Sequence, residues 1–141
     1  MPADLLREHE YVRTLFDRLR AVLAAPDDCL PAARWQRLLD HELRALRSAL
    51  ARHFRHEEHG EYLKPVRHRR PTLAPKLADL QAQHAVFRST VDELIAANAA
   101  GTPRAELRPR IEALLARLSA HEAAETELLQ EALAVDLGGG D

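Results

Sequence analysis

A single cysteine, Cys29, is all the thiol chemistry that this 141-residue chain offers. No intrachain disulfide and no thiolate-rich metal site can form from it, and a reducing compartment, the cytoplasm, is the expected location. Aromatic residues make up only 4% of the chain. With β-branched residues also scarce beside Leu and Ala, there is too little to furnish strands, which excludes a β-sandwich and favours helices. No stretch approaches the roughly 18 apolar residues of a membrane span, and the opening MPADLLREHEY lacks the apolar run of a secretion signal. Neither sign of charge dominates, since 20 Lys and Arg stand against 22 Asp and Glu. Nucleic acid and acidic membrane surfaces are therefore not expected partners. The 46% of apolar residues is enough for one domain to bury a core without covalent staples.

Proline and glycine, few as they are, punctuate the chain into four helical stretches at about 3–24, 32–66, 76–99 and 104–134. Pro26 to Pro31 forms the first break. The second, Arg67 to Pro75, holds Pro71, and the third is Gly101-Thr102-Pro103, a glycine stop followed by a new start. Connections this short make consecutive helices antiparallel, so the expected fold is all-α, an up-down-up-down antiparallel four-helix bundle. It should form a single domain over 1–136, with a flexible tail at 137–141. Gly60 and Pro65 are expected to bend or fray the end of the second stretch.

Each stretch carries an apolar stripe stepping by alternating threes and fours, the period that keeps one helix face against its neighbours. The stripes read Leu5, His9, Val12, Phe16, Leu19, Leu23; then Leu39, Leu43, Leu46, Leu50, His53, Glu57; then Leu77, Leu80, His84, Phe87, Val91, Leu94; and last Leu107, Ile111, Leu114, Leu118, His121, Glu125. Four histidines and two glutamates thus stand where a bundle should carry leucine. A lone imidazole or carboxylate taken out of water costs several kcal/mol or more unless it is paired, protonated or bound to a cation. Six together ask for one shared explanation, a buried metal site.

The pattern is duplicated. His9, Arg13, Asp17 and Leu19 recur as His84, Arg88, Asp92 and Leu94 at an offset of 75, and Leu46, Leu50, His53 and Glu57 recur as Leu114, Leu118, His121 and Glu125 at an offset of 68. Each half supplies one lone His and one HxxxE. His and Glu four apart share a helix face with roughly 5–6 Å between Cβ atoms, close enough to hold one metal or a close pair. In an antiparallel bundle the ends carrying these residues coincide, so at ~1.5 Å per residue all six side chains can meet at one level. Four nitrogens and two potentially bridging carboxylates match a dinuclear centre. Mixed N/O ligation at two centres favours Fe or Mn over a single tetrahedral Zn.

A lone His on the first helix, HxxxE on the second, a lone His on the third and HxxxE on the fourth resembles the haemerythrin-like HHE cation-binding domains. The run His53-Phe-Arg-His-Glu57-Glu58, followed by Tyr62, Leu63 and Pro65, is similar to their second-helix signature, and the resemblance spans nearly the whole chain. It implies a haemerythrin four-helix bundle holding two Fe ions as a μ-oxo or μ-hydroxo di-iron centre, with Mn or Zn less favoured, and a small diatomic partner, O2 or NO. The oxygen-carrying members have HxxxH on the third helix and HxxxxD on the fourth, where this chain has Leu80 and Thr126. Its ligand set is closer to that of the nitric-oxide-responsive, iron-sulfur-cluster repair branch, whose domains use two HxxxE motifs and usually add an N-terminal cysteine-containing segment not found in these 141 residues.

The expected function is a di-iron protein that binds or senses O2 or NO, or handles iron under oxidative or nitrosative stress. The rivals are a di-iron redox enzyme reducing NO or peroxide and a metal-free helical interaction module with a His-Glu network. No acid, base or nucleophile apart from the ligands identifies an enzyme. Glu-x-x-His pairs of the ferritin-like kind and HExxH are both absent. Among outlying residues, His56 and His59 flank Glu57 and read as solvated, the alternative being a supporting contact behind the ligands or an entry gate; of the two His56 is the better candidate for a fifth nitrogen, and His41 and His68 have no metal-like context. Glu58 is expected to pair with a surface cation and Glu122 to face away from the seam. Tyr11 and Tyr62 are weighed as hydrogen-bond donors to a bound ligand, Trp35 as an anchor at the far end, and Lys64 to Arg70 as a solvated basic loop complementing a helix C-terminus.

Overall fold

A computed structural model describes residues 3–61 and 63–138. Four long helices, α1 (Ala3–Ala24), α2 (Ala32–His59), α4 (Ala74–Ala99) and α5 (Arg104–Gly138), alternate in direction, with a short α3 (Lys64–Arg69) and a 3-10 turn (Pro71–Leu73) between α2 and α4. No strand occurs among the described residues. Every position of the four apolar stripes is buried. The all-α four-helix bundle follows from that periodicity, α2 packing along both α1 and α4, α4 along α5, while α1 and α5 approach each other least closely.

The second stretch departs from expectation. Rather than running to residue 66, α2 stops at His59. Gly60 caps the helix, its N–H making the last helical hydrogen bond to the His56 carbonyl at 2.7 Å, and a Cβ at this position would overlap that same oxygen. The segment expected as a solvated loop is instead folded back onto the bundle. Leu63, Val66 and Leu73 are buried there and pack with Leu5, Leu77, Leu80, Leu128, Leu129 and Ala132. Pro65 and Pro75 each occupy a first-turn position, where a missing N–H costs nothing. Arg67, assigned to the solvated cluster, donates to the carbonyls of Glu57 (3.0 Å) and Glu58 (3.2 Å) and so caps α2.

Other boundaries track the punctuation. Gly101 adopts φ 85°; its N–H bonds to the Asn98 carbonyl and that of Thr102 to the Ala97 carbonyl, the glycine-dependent Schellman stop of α4. Helix α5 continues to Gly138 rather than ending near 134. Of the tail expected at 137–141, residues 139–141 lie outside the described residues. At the far end, the Trp35 indole donates to the Val22 carbonyl (2.9 Å) and Arg108 to that of Leu23 (2.9 Å), closing the C-terminus of α1. No helix among the described residues is long and apolar enough to cross a membrane.

Two hydrophobic clusters share the interior. The larger, from Val12 through Phe54 and Phe87 to Leu118, fills the far end and middle; the smaller, under α3, fills the near end. Along every long helix the same switch occurs: Leu5 then His9 then Val12, Phe54 then Glu57, Leu80 then His84 then Phe87, Leu118 then His121 and Glu125 then Leu128. A polar layer therefore interrupts the core at one level, sealed on both sides by aliphatic and aromatic packing.

Candidate metal centre

The antiparallel alternation brings the ends of α1, α2 and α4 together beside the middle of α5, so residues far apart in sequence share this layer. His9, His53, Glu57, His84, His121 and Glu125 are each no more than 4% exposed. One ligand atom from each of Glu57, His84, His121 and Glu125 falls within 4.8 Å of the others. His53 joins through Nε2, 2.9 Å from Glu57 Oε1. The His9 and His53 rings lie 4.9 Å apart between centroids, and those of His84 and His121 5.0 Å. The structure thus gathers all six sequence-identified residues into one buried group.

Three of the imidazoles are oriented from behind. His53 Nδ1 pairs with Glu8 Oε2 at 2.8 Å, His84 Nδ1 with Glu58 Oε1 at 3.3 Å, and His121 Nδ1 with Gln83 Oε1 at 2.9 Å. Carboxylate and amide oxygens only accept, so each Nδ1 carries the proton and donates it. In the neutral rings every Nε2 then presents a lone pair to the centre of the group. His84 Nε2 and His121 Nε2 face each other at 3.2 Å, and His121 Nε2 lies 2.7 Å from Glu125 Oε1. Lone pairs set against lone pairs at these distances repel unless a proton or a cation lies among them.

The remaining atoms carry the same message. His9 Nε2, His53 Nε2, Glu57 Oε1 and Glu125 Oε1 are buried without a properly aligned hydrogen-bond partner, although three of them, His53 Nε2, Glu57 Oε1 and Glu125 Oε1, lie within 3 Å of an opposite group. They surround a common volume. Buried polar atoms in folded proteins are satisfied in nine cases of ten or more, so four orphans in one cluster need an explanation. A cation held by imidazole nitrogens and carboxylate oxygens supplies it, and the donor set, all nitrogen and oxygen, suits Fe, Mn or Zn.

Electrostatics agrees with a site built to take a cation. Burial, reinforced by the charges on His53 and Arg13, holds the His9 pKa down at about 4. Burial together with His84, His53 and His9 brings His121 down to about 3, and burial also lowers His84. These rings are neutral lone-pair donors at neutral pH. Burial would lower His53 too, but the Glu57 and Glu8 carboxylates, one close to each ring nitrogen, outweigh it and raise the pKa to about 9. His53 therefore holds a proton at neutral pH in the metal-free protein, in the place that a cation would take.

Aromatic rings close the inner side. Phe54 stacks on His84 with centroids 3.9 Å apart and 4° between planes, and Phe87 meets the His121 ring edge-on at 5.2 Å. Toward α3, an enclosed pocket lined by Leu5, His9, Glu57, Leu63, Glu125 and Thr126 leaves no room for a water molecule. A groove of about 430 Å³ on the α1/α2 face, lined in part by Glu8, Tyr11, His53 and His56, reaches the outer edge of the His53 ring.

Several residues behave differently from their sequence reading. His56, weighed as a fifth nitrogen, donates to Glu8 in the groove instead. Glu58 pairs with Arg88 (3.3 Å), as expected of a surface carboxylate, yet the same oxygen also serves His84. Glu122 does not face away: it is 6% exposed, lies 3.7 Å from Arg13, and burial raises its pKa to about 6. Tyr11 is 53% exposed and lines the groove; Tyr62 falls outside the described residues. His41, His59 and His68 are exposed. Glu8, Gln83 and the stacking Phe54 were missed. Only Phe54 left a signal, an aromatic beside the first HxxxE histidine in a chain with three phenylalanines.

Over residues 1–133 the chain matches the family model described as Hemerythrin HHE cation binding domain. No curated protein and no solved structure matches it.

Proposed function

Because the chain belongs to the haemerythrin HHE cation-binding family, we propose that its buried layer holds a non-haem di-iron centre that binds a diatomic molecule, O2 or NO, in sensing or in handling iron under oxidative or nitrosative stress. The observation that carries this reading is the convergence of buried imidazole nitrogens and carboxylate oxygens from four helices on one enclosed volume, four of these atoms having no hydrogen-bond partner. His9, His53, His84 and His121 would supply nitrogens, and Glu57 and Glu125, each one turn from a ligand histidine, would be shared between two ions. A pair of irons, when bound, supplies a redox-active centre with coordination positions left over for a small exogenous ligand.

The protein's own share is orientation and dryness. Glu8, Glu58 and Gln83 fix which nitrogen of each ring faces inward, the arrangement that keeps ligating histidines in register and raises their basicity. Phe54, Phe87, Leu5 and Leu63 pack around the cluster and keep water away from it. All four long helices contribute to the one cluster, which supports treating 1–136 as a single domain. The lone, exposed and unpaired Cys29 supports a reducing, cytoplasmic setting.

The test is optical. After anaerobic loading with Fe(II) and exposure to O2, azide or NO, the protein should develop near-ultraviolet charge-transfer bands that differ among the three ligands. Bands from bound iron that ignore all three would refute ligand binding. Catalytic consumption of NO or peroxide in stopped-flow mixing would move the protein to the redox-enzyme class instead.

A further inference from the structure

The six converging residues are not equally prepared. Glu57, His84, His121 and Glu125, from α2, α4 and α5, already lie with ligand atoms within 4.8 Å of one another. Both histidines of this subset are locked. His84 is held by Glu58, itself anchored by Arg88, and by face-to-face stacking on Phe54; His121 is held by Gln83 and the edge of Phe87. Their orientation has been fixed by folding, so binding an ion there requires little further loss of side-chain freedom.

The other pair is less ready. His53 is held by Glu8, but His9 has a buried Nε2 without a hydrogen-bond partner and stands outside the four-residue group. It is carried by α1, whose approach to α5 is the loosest of the bundle's neighbouring pairs. A second ion must therefore recruit His9, and it must share Glu57 and Glu125 after a first ion has already offset their charge. Two divalent cations a few ångströms apart in a buried setting also repel strongly.

We propose that the two metal positions fill in a fixed order, the first ion entering the His84, His121, Glu57, Glu125 position and the second the His9, His53 position. This rests on the di-metal reading above and adds to it a built-in inequality. The protein would pass through a discrete one-metal form, with His9 as the residue that gates completion of the pair.

Anaerobic titration of the metal-free full chain with Fe(II), followed by native mass spectrometry and calorimetry, tests the order. At one equivalent roughly five-sixths of the wild-type chains should carry one iron, with stepwise affinities differing on the order of 100-fold, against about half for the fourfold that two equal independent sites give. His9→Ala should stop at one iron with its first-step affinity unchanged within about threefold, while His121→Ala should weaken the first step on the order of 100-fold. A statistical mixture of empty, singly and doubly loaded wild-type chains would overturn the order while leaving the di-metal site standing, and this reading needs no variant to fold. Loss of both irons from a folded His9→Ala protein would overturn it as well. Wild-type protein that takes up no iron would overturn both the order and the site.

Discussion

Imidazole nitrogens facing each other at 3.2 Å, each with its proton committed to an oxygen behind it, are an arrangement that folding alone does not favour. The cost at His84 and His121 is the residue-scale reason for reading a cation site rather than a hydrogen-bonded network. A network would align donors with acceptors, whereas here Glu57 Oε1 and Glu125 Oε1 stay unpartnered with histidine nitrogens within 3 Å. Substitution separates the two accounts. His53→Ala and Glu125→Ala should each reduce bound iron at least about tenfold, since either removes a ligand and leaves its neighbours uncompensated. His41→Ala and His68→Ala, at exposed positions, should leave iron content unchanged; metal analysis of the four purified proteins decides, and equal retention in all four would refute the ligand assignment. The six residues were legible in sequence because each breaks an apolar stripe at a fixed register. Glu8 and Gln83 were not, because each meets its histidine across the bundle, 45 and 38 residues away, and helix periodicity says nothing of such pairings.

At the scale of elements, the stripes and the punctuation fixed the four long helices, but the span between α2 and α4 required the third dimension. Leu63, Val66 and Leu73 lie too close to Pro65 and Pro71 to form a periodic stripe, yet each is buried because the end of α5 offers Leu128, Leu129 and Ala132 as partners. Glu122, next to His121 and about 100° around the helix, is buried as well, with Arg13 of α1 3.7 Å away. The hinge of the span between α2 and α4 is Gly60. A methyl group there meets the His56 carbonyl, so Gly60→Ala must shift the end of α2 that carries Glu57 or displace α3. It should cost about 1–3 kcal/mol, the usual penalty for forcing a carbon into a filled position. Urea unfolding of the metal-free protein measures it; a change below about 0.5 kcal/mol would mean that the turn is not strictly dependent on glycine.

For the whole molecule, the interior is two apolar cores parted by a charged layer, and the layer is where the bundle is least self-sufficient. Metal-free, it leaves four orphaned polar atoms on α1, α2 and α5 inside the bundle, with His53 protonated; a bound cation would be held by these atoms together with His84 of α4 and His121 of α5, linking all four long helices. Binding to the native state alone adds stability by mass action, about 2.7 kcal/mol when free ligand stands a hundredfold above Kd. Fold and metal site are thus two aspects of one design, in which the repeat of lone His and HxxxE in each half supplies both the helix seams and the ligands. Metal analysis of the wild-type protein after anaerobic Fe(II) loading and removal of free iron is the most direct test. The proposed di-iron reading predicts about two irons per chain, and a folded protein retaining fewer than about 0.2 would contradict it.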